Sequence, residues 1–202
     1  MQKHAVFTRD AKYGKLYLKP EGITNKETGV KKLKRRSMTS TSYIARTGIL
    51  LALAVIFQVG FRSFAQPLVG PLVNMTLIIS VLSVGVASGL TIGCFTPLIA
   101  FFMGIMPLFP LVPIIMAGNA IFVSAFAFIR DRTSDSGEYL ALVAAALLKF
   151  AFLAISVRKL LVIFIPKVPQ SIVAAFSIPQ LYTALAGGII AIVLHKIIKN
   201  NY

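Results

Sequence analysis

Six long apolar stretches dominate the sequence beyond residue 44, and they constrain its fold more than any other feature. Each approaches the roughly 20 residues that a helix needs to cross the hydrocarbon core of a bilayer. The stretches cover residues 44–60, 71–90, 93–108, 113–129, 140–158 and 178–197. The mean hydropathy of +0.83 is well above that of a soluble domain. The sequence therefore predicts an all-α integral membrane protein with about six transmembrane helices in one bundle.

Two ends of these stretches carry specific signals. Pro107, Pro110 and Pro113 predict a kinked loop at the outer end of the third stretch, because proline interrupts helical hydrogen bonding. The sixth stretch has a predicted start at Ser177, which can cap the helix, and Pro179, which suits its first turn. These signals place helix boundaries more closely than hydropathy does.

The amino-terminal segment, residues 1–40, is basic and polar. Residues 1–37 contain eleven Lys or Arg against three acidic residues. A dense basic cluster beside an apolar segment is typical of a cytoplasmic anchor attracted to anionic lipid. No aromatic-interleaved groove or reader motif accompanies the charge, so nucleic acid is not the expected partner. We predict a disordered cytoplasmic tail over 1–40 and a membrane domain over 41–202.

The distribution of Lys and Arg predicts the orientation in the cell membrane. With the amino terminus inside and six crossings, sixteen of these residues fall on the inner side and four on the outer side, with Lys149 between. This asymmetry agrees with the positive-inside rule. Both termini are therefore predicted to be cytoplasmic.

The larger polar side chains of the apolar stretches gather in the predicted outer half. By the helical rise, Lys149 lies about 13 Å and Asn119 about 9 Å below the outer ends of their stretches. Asn74 and Gln180 lie in outer first turns. We expect these four residues to line a substrate pocket open to the outside, with Lys149 at its floor, because no stretch contains an acidic partner for it. The alternative is that each amide joins two helices.

The absence of several motifs limits the mechanism. The sequence has neither a GxxxxGK[ST] phosphate loop nor an HExxH zinc motif, and it has one cysteine. Its apolar stretches contain no titratable Asp or Glu, which makes proton coupling an unfavoured mechanism. We therefore expect no catalytic residue, metal or cofactor, and a transporter of this kind must be passive or draw energy from a partner.

Rows of small residues mark possible helix–helix contacts. Such residues let backbones approach closely in lipid. The first stretch has one row and the sixth has two: Ala45, Gly48 and Ala52; Ala184 and Gly188; Gly187 and Ala191. Each row is interpreted either as a partner surface or as packing within the protein.

The combination resembles the membrane-embedded substrate-binding S components of energy-coupling factor (ECF) vitamin transporters. The resemblance comes from ARTGILLALA after the basic terminus, the proline-rich third-to-fourth connection, and SIPQLYTALAGG in the sixth stretch. It implies binding of a vitamin or related micronutrient, and docking to a transmembrane coupling subunit that carries two cytoplasmic ATPases. The family's docking row is Ala-x-x-x-Ala on the first helix, whereas here Ile49 stands four residues after Ala45.

Two other functions stay open from the sequence. One is a stand-alone membrane facilitator or secondary carrier. The other is a membrane scaffold that recruits partners through its basic tail. Copurification with ATPase subunits favours the ECF function, solute flux by the isolated protein favours the carrier, and absence of any ligand favours the scaffold.

Overall fold

The computed structural model describes residues 6–9, 16–19, 39–61, 66–106, 108–133 and 137–201. The chain divides into two compact units, residues 1–37 and 38–202. In the first unit, strands β1 (Val6–Arg9) and β2 (Leu16–Lys19) pair antiparallel, with Phe7 opposite Leu18. The branched and aromatic residues of these strands favour extended backbone. The disordered or loosely structured tail over 1–40 stays a prediction. The rest of the predicted tail up to residue 38 lies outside the described residues.

The described part of the second unit is built from α-helices. In chain order they are α1 (Ser40–Gly60), α2 (Gln66–Ser83), α3 (Val86–Phe102), α4 (Leu111–Arg130), α5 (Gly137–Lys159), α6 (Leu161–Phe164), α7 (Gln170–Ala175) and α8 (Ile178–Asn201). Four helical stretches are long and apolar enough to cross a membrane: Ser40–Gly60, Leu111–Arg130, Gly137–Phe164 and Gln170–Asn201. Leu68–Ser83 and Val86–Phe102 are shorter apolar helices. The described part of the second unit is thus a helical bundle, and the length and apolarity of its helices are consistent with the predicted membrane domain.

The turn between α2 and α3 corrects the predicted boundaries of the second and third stretches. The sequence predicted helices over 71–90 and 93–108, whereas α2 ends at Ser83 and α3 begins at Val86. Gly85 has a φ of 137°, a conformation that favours glycine, and its N–H donates to Ser80 O. Hydropathy misses this turn because the residues on both sides of Gly85 are apolar.

The α3–α4 and α5–α8 connections also differ in detail from the prediction. The helix α3 ends at Phe102, before the prolines, and α4 begins at Leu111 with Pro113 in its first turn. The two short helices α6 and α7 lie between α5 and α8, where no helix was predicted.

The predicted helix cap at Ser177 is wrong in its role. The helix α8 does begin at Ile178, but the Ser177 hydroxyl donates to Val173 O at 2.6 Å and accepts from the Arg158 guanidinium at 2.8 Å. The hydroxyl therefore links the end of α5 to the α7–α8 turn. A hydrogen bond from a charged guanidinium is stronger than one from a backbone N–H of α8, which explains why the oxygen does not cap the helix.

The helix α8 packs closely on α2 and α5, and its small residues make this possible. A Cβ on Gly187 would meet the backbone of α2 at Pro71 O and at Met75 N, the latter at 2.8 Å. A Cβ on Gly188 would run into the Leu142 side chain of α5. Ala184 and Ala191 are fully buried. Both small-residue rows of the sixth stretch therefore serve internal packing.

The helix α1 lies at the edge of the bundle. It contacts α2 and α3, and the Thr47 hydroxyl donates to Ser88 Oγ at 2.9 Å. Its buried residues are Thr47 and Ala54, and most of its remaining surface is at least partly open. A second apolar cluster joins α4, α5, α6 and the α7–α8 turn, and it positions Phe176 over the cavity described next.

Candidate functional site

The four polar residues predicted to form a substrate pocket line one cavity. Asn74 comes from α2, Asn119 from α4, Lys149 from α5 and Gln180 from the first turn of α8. The cavity has a volume of about 100 Å³. Residues from four helices that are far apart in sequence thus converge as the polarity pattern predicted.

Lys149 is the charged residue at this convergence. Its side chain is buried at 3% exposure, and its ammonium donates to Asn74 Oδ1 at 2.6 Å and to Asn119 Oδ1 at 2.8 Å. The Phe122 ring centroid lies 5.1 Å from Nζ, within the range of a cation–π contact. The two amide oxygens accept hydrogen bonds from Nζ but carry no negative charge, so neither of them is a counter-ion for the lysine.

Asn119 is held in place by α3. Its Nδ2 donates to Gly93 O at 2.9 Å, and a Cβ added to Gly93 would lie 3.0 Å from the Asn119 Cβ. The glycine therefore admits the amide between α3 and α5. Asn119 joins helices, as the alternative interpretation of the amides expects, and it also fixes the position of the lysine.

Asn74 and Gln180 are less fully engaged. Asn74 is 3% exposed, and among the described residues Lys149 is the partner of its Oδ1 while its Nδ2 makes no hydrogen bond. Gln180 is half-buried, and its Nε2 donates to Ala175 O over a long 3.4 Å. Because an amide group has both donors and acceptors, these two side chains have capacity left for a bound solute.

Gln58 is a cavity residue that was not included in the predicted site. It lies in the last turns of α1, and its Oε1 is buried without a hydrogen-bond partner among the described residues. A buried amide oxygen without a donor costs free energy, typically about 1–3 kcal/mol. The sequence did show a glutamine near the predicted outer end of the first apolar stretch. It did not show that this side chain faces the cavity.

The remaining wall of the cavity is mostly apolar. It is formed by Val69, Gly70, Val73, Thr96, Pro97, Met106, Ile115 and Phe176. The Thr96 hydroxyl donates to its own helix at Ile92 O, at 2.8 Å, and is fully buried. The cavity thus combines an apolar wall with a few fixed polar groups, as small-molecule sites do.

The chemistry available at this site is binding. Lys149 is the charged side chain among the described residues that line it. Within the described ranges, no three His, Cys, Asp or Glu residues are grouped so that they could hold a metal ion. Hydrogen-bond donors and acceptors that line a cavity can select and orient a solute.

The predicted partner row on α1 faces away from the helix bundle. Ala45, Gly48 and Ala52 are all exposed, and a Cβ added to Gly48 would meet no atom within 4 Å. Ile49, beside the row, is 68% exposed. Unlike the rows of α8, this one makes no internal contact that explains its small residues.

A family model described as "ECF transporter, substrate-specific component" matches residues 42–199. No curated protein and no solved structure matches the chain.

Proposed function

The chain belongs to the family of ECF transporter substrate-specific components, and from that premise we propose that it binds a vitamin or related micronutrient at the outer side of the cell membrane. Members of this family are subunits of transporters rather than enzymes. In this proposal the protein delivers its solute with a transmembrane coupling subunit and two cytoplasmic ATPases.

The observation that carries the proposal is the cavity around Lys149. Asn74, Asn119 and Gln180 reach it from three other helices, and each predicted residue has a polar atom at or near it. Burial of a lysine at 3% exposure with only two amide partners costs free energy, and ionisable residues inside membrane segments usually have a function for that reason. Contact with a polar group of the solute provides such a function, with Asn119 and Gln180 beside it.

Six crossings of the membrane accompany this function. Together α1 to α5 and α8 supply the spans, with α2 and α3 shorter than the others. Both termini are then cytoplasmic, and the basic segment before α1 faces the anionic inner leaflet. The cavity is lined by residues near the start of α2, of α4 and of α8 and near the ends of α1 and α3. In the proposed topology these helix ends face outward, so the cavity lies in the outer half of the membrane.

The exposed row on α1 is the proposed contact with the coupling subunit. Two features support it: the open surface over Gly48, and the exposed Ala45 and Ala52 that lie along the same side of the helix. Small residues allow the close backbone approach that helix pairs in lipid require.

Reconstitution tests the proposal against a stand-alone carrier. The protein is placed in liposomes alone, and in parallel with coexpressed coupling and ATPase subunits of its host. We expect the subunits to copurify with the protein. We also expect solute uptake to require ATP on the side of the membrane where the ATPases lie. Equal uptake by the isolated protein would identify a facilitator instead, and a protein that binds neither solute nor ATPases would fit the scaffold function.

A further inference from the structure

Within the described residues, no carboxylate contacts Lys149 at the cavity. Lys149 contacts two amide oxygens, and the two carboxylates within the described ranges pair elsewhere, Asp131 with Arg130 and Glu138 with Lys196. A buried cation without a counter-ion is destabilising, so a solute that brings one negative charge gains affinity. A single lysine can match one negative charge, and no second cation lies among the described residues that line the cavity.

Two side-chain groups, Lys149 Nζ and Asn74 Nδ2, can still donate hydrogen bonds to that negative group. An ammonium has three N–H bonds, of which Lys149 uses two. The Nδ2 of Asn74 has two more N–H bonds, with no acceptor among the described residues, and it belongs to the amide whose oxygen already touches Nζ at 2.6 Å. Lysine and amide donors lying side by side suit the two oxygens of a carboxylate.

The cavity also contains an acceptor that lacks a donor. Gln58 Oε1, on α1, is buried and makes no hydrogen bond within the described structure. A solute N–H or O–H directed at it would recover the free energy lost by its burial. Apolar residues such as Val73, Ile115 and Phe176 complete the wall and favour a carbon body in the solute.

Resting on the proposed function, we infer that the solute is a compact carboxylic acid, bound as its monoanion, with an N–H or O–H donor on its body. The carboxylate accepts hydrogen bonds from Lys149 and Asn74, and the donor contacts Gln58 Oε1. We expect neutral, cationic and phosphorylated micronutrients to bind less tightly, because Lys149 can supply one positive charge and no other cation lies among the described residues that line the cavity.

Matched ligand pairs test the inference on the purified full-length protein. The pairs are p-aminobenzoate with p-aminobenzamide, biotin with biotinamide, and pantothenate with pantothenyl alcohol, while thiamine, pyridoxine and pyridoxal phosphate represent the other classes. Thermal unfolding and calorimetric titration are measured for each. We expect one acid to bind at least about tenfold more tightly than its neutral analogue, since a hydrogen bond to a charged donor is lost in the analogue.

Two results would overturn the inference. One is preferred binding of a neutral, cationic or phosphorylated solute, which would leave the transport function standing. The other is binding of none of the acids, and copurification with the ATPase subunits then shows separately whether the transport function survives.

An isosteric charge change provides the second test. Asn74→Asp keeps the shape of the side chain but places a carboxylate against Lys149, so the bound acid should lose affinity by about ten- to a hundredfold. Asn200→Asp makes the same change at an exposed position near the opposite end of α8 and should leave affinity unchanged. Equal dissociation constants for the two variants would refute an anionic solute at this site.

Discussion

Gly187 is the position where a single methyl group should disturb both the bundle and the cavity. In Gly187→Ala the new Cβ would press against Pro71 O, lie 2.8 Å from Met75 N and lie 2.9 Å from the Asn74 Cβ. The first two are backbone atoms, which cannot rotate away as the end of a flexible side chain can. The helices α2 and α8 must therefore separate, and Asn74 must move with α2.

The expected magnitude follows from two opposing effects. Overpacking a close contact costs about 1–3 kcal/mol, while replacing glycine by alanine inside a helix gains up to about 1 kcal/mol. We expect a net loss of about 1–2 kcal/mol, which is a fall of about 2–8 °C in unfolding temperature for a chain of this size. Displacement of Asn74 from the 2.6 Å bond to Lys149 should also weaken solute binding.

Thermal unfolding in detergent and calorimetric titration measure these two effects. Gly48→Ala is the matched control, because a Cβ there meets nothing within 4 Å and stability should stay the same or rise slightly. If Gly187→Ala and Gly48→Ala unfolded at the same temperature, the close packing of α8 on α2 would be refuted.

Three further predictions concern the site, the partner and the topology. Lys149→Met should weaken solute binding by about ten- to a hundredfold in calorimetric titration, because it removes a charged donor worth about 1.5–3 kcal/mol; an unchanged dissociation constant would exclude Lys149 from the site. Replacing Gly48 and Ala52 by Leu should abolish uptake by the full complex and leave binding by the isolated protein nearly unchanged, whereas a joint loss would indicate an internal role. A reporter that is active only outside the cytoplasm, fused to the carboxyl terminus, should be silent, and strong activity would contradict six crossings.

The sequence was sufficient for the class of fold and insufficient for its turns. Long apolar stretches identify spanning helices because a bilayer demands about 20 apolar residues. The same apolarity hides the α2–α3 turn, since Val84 and Val86 are as apolar as the helices they separate and Gly85 alone marks the break. The short helices α6 and α7 were also missed, because each spans only four to six residues and leaves a weak signal in the sequence.

The residues of the cavity were predicted more completely than the packing of the helices around it. Depth along a helix follows from the rise per residue, so Asn74, Asn119, Lys149 and Gln180 could be assigned to one half of the membrane. Rotation about the helix axis does not follow from a nearly uniform apolar sequence, and this is why Gln58 was left out. Both small-residue rows of α8 and the row of α1 looked alike in sequence, and the contacts of Gly187 and Gly48 distinguish them.

The close fit of α8 on α2 also has a mechanical consequence. Besides Gly187, a Cβ on Gly70 would lie 2.7 Å from Thr183 Cγ2, so the two helices are locked together at two levels. We therefore expect the parts of the cavity wall that they supply, including Asn74 and Gln180, to move together. Widening of the cavity for a solute is then expected from its other walls, including the peripheral α1, which contributes Gln58.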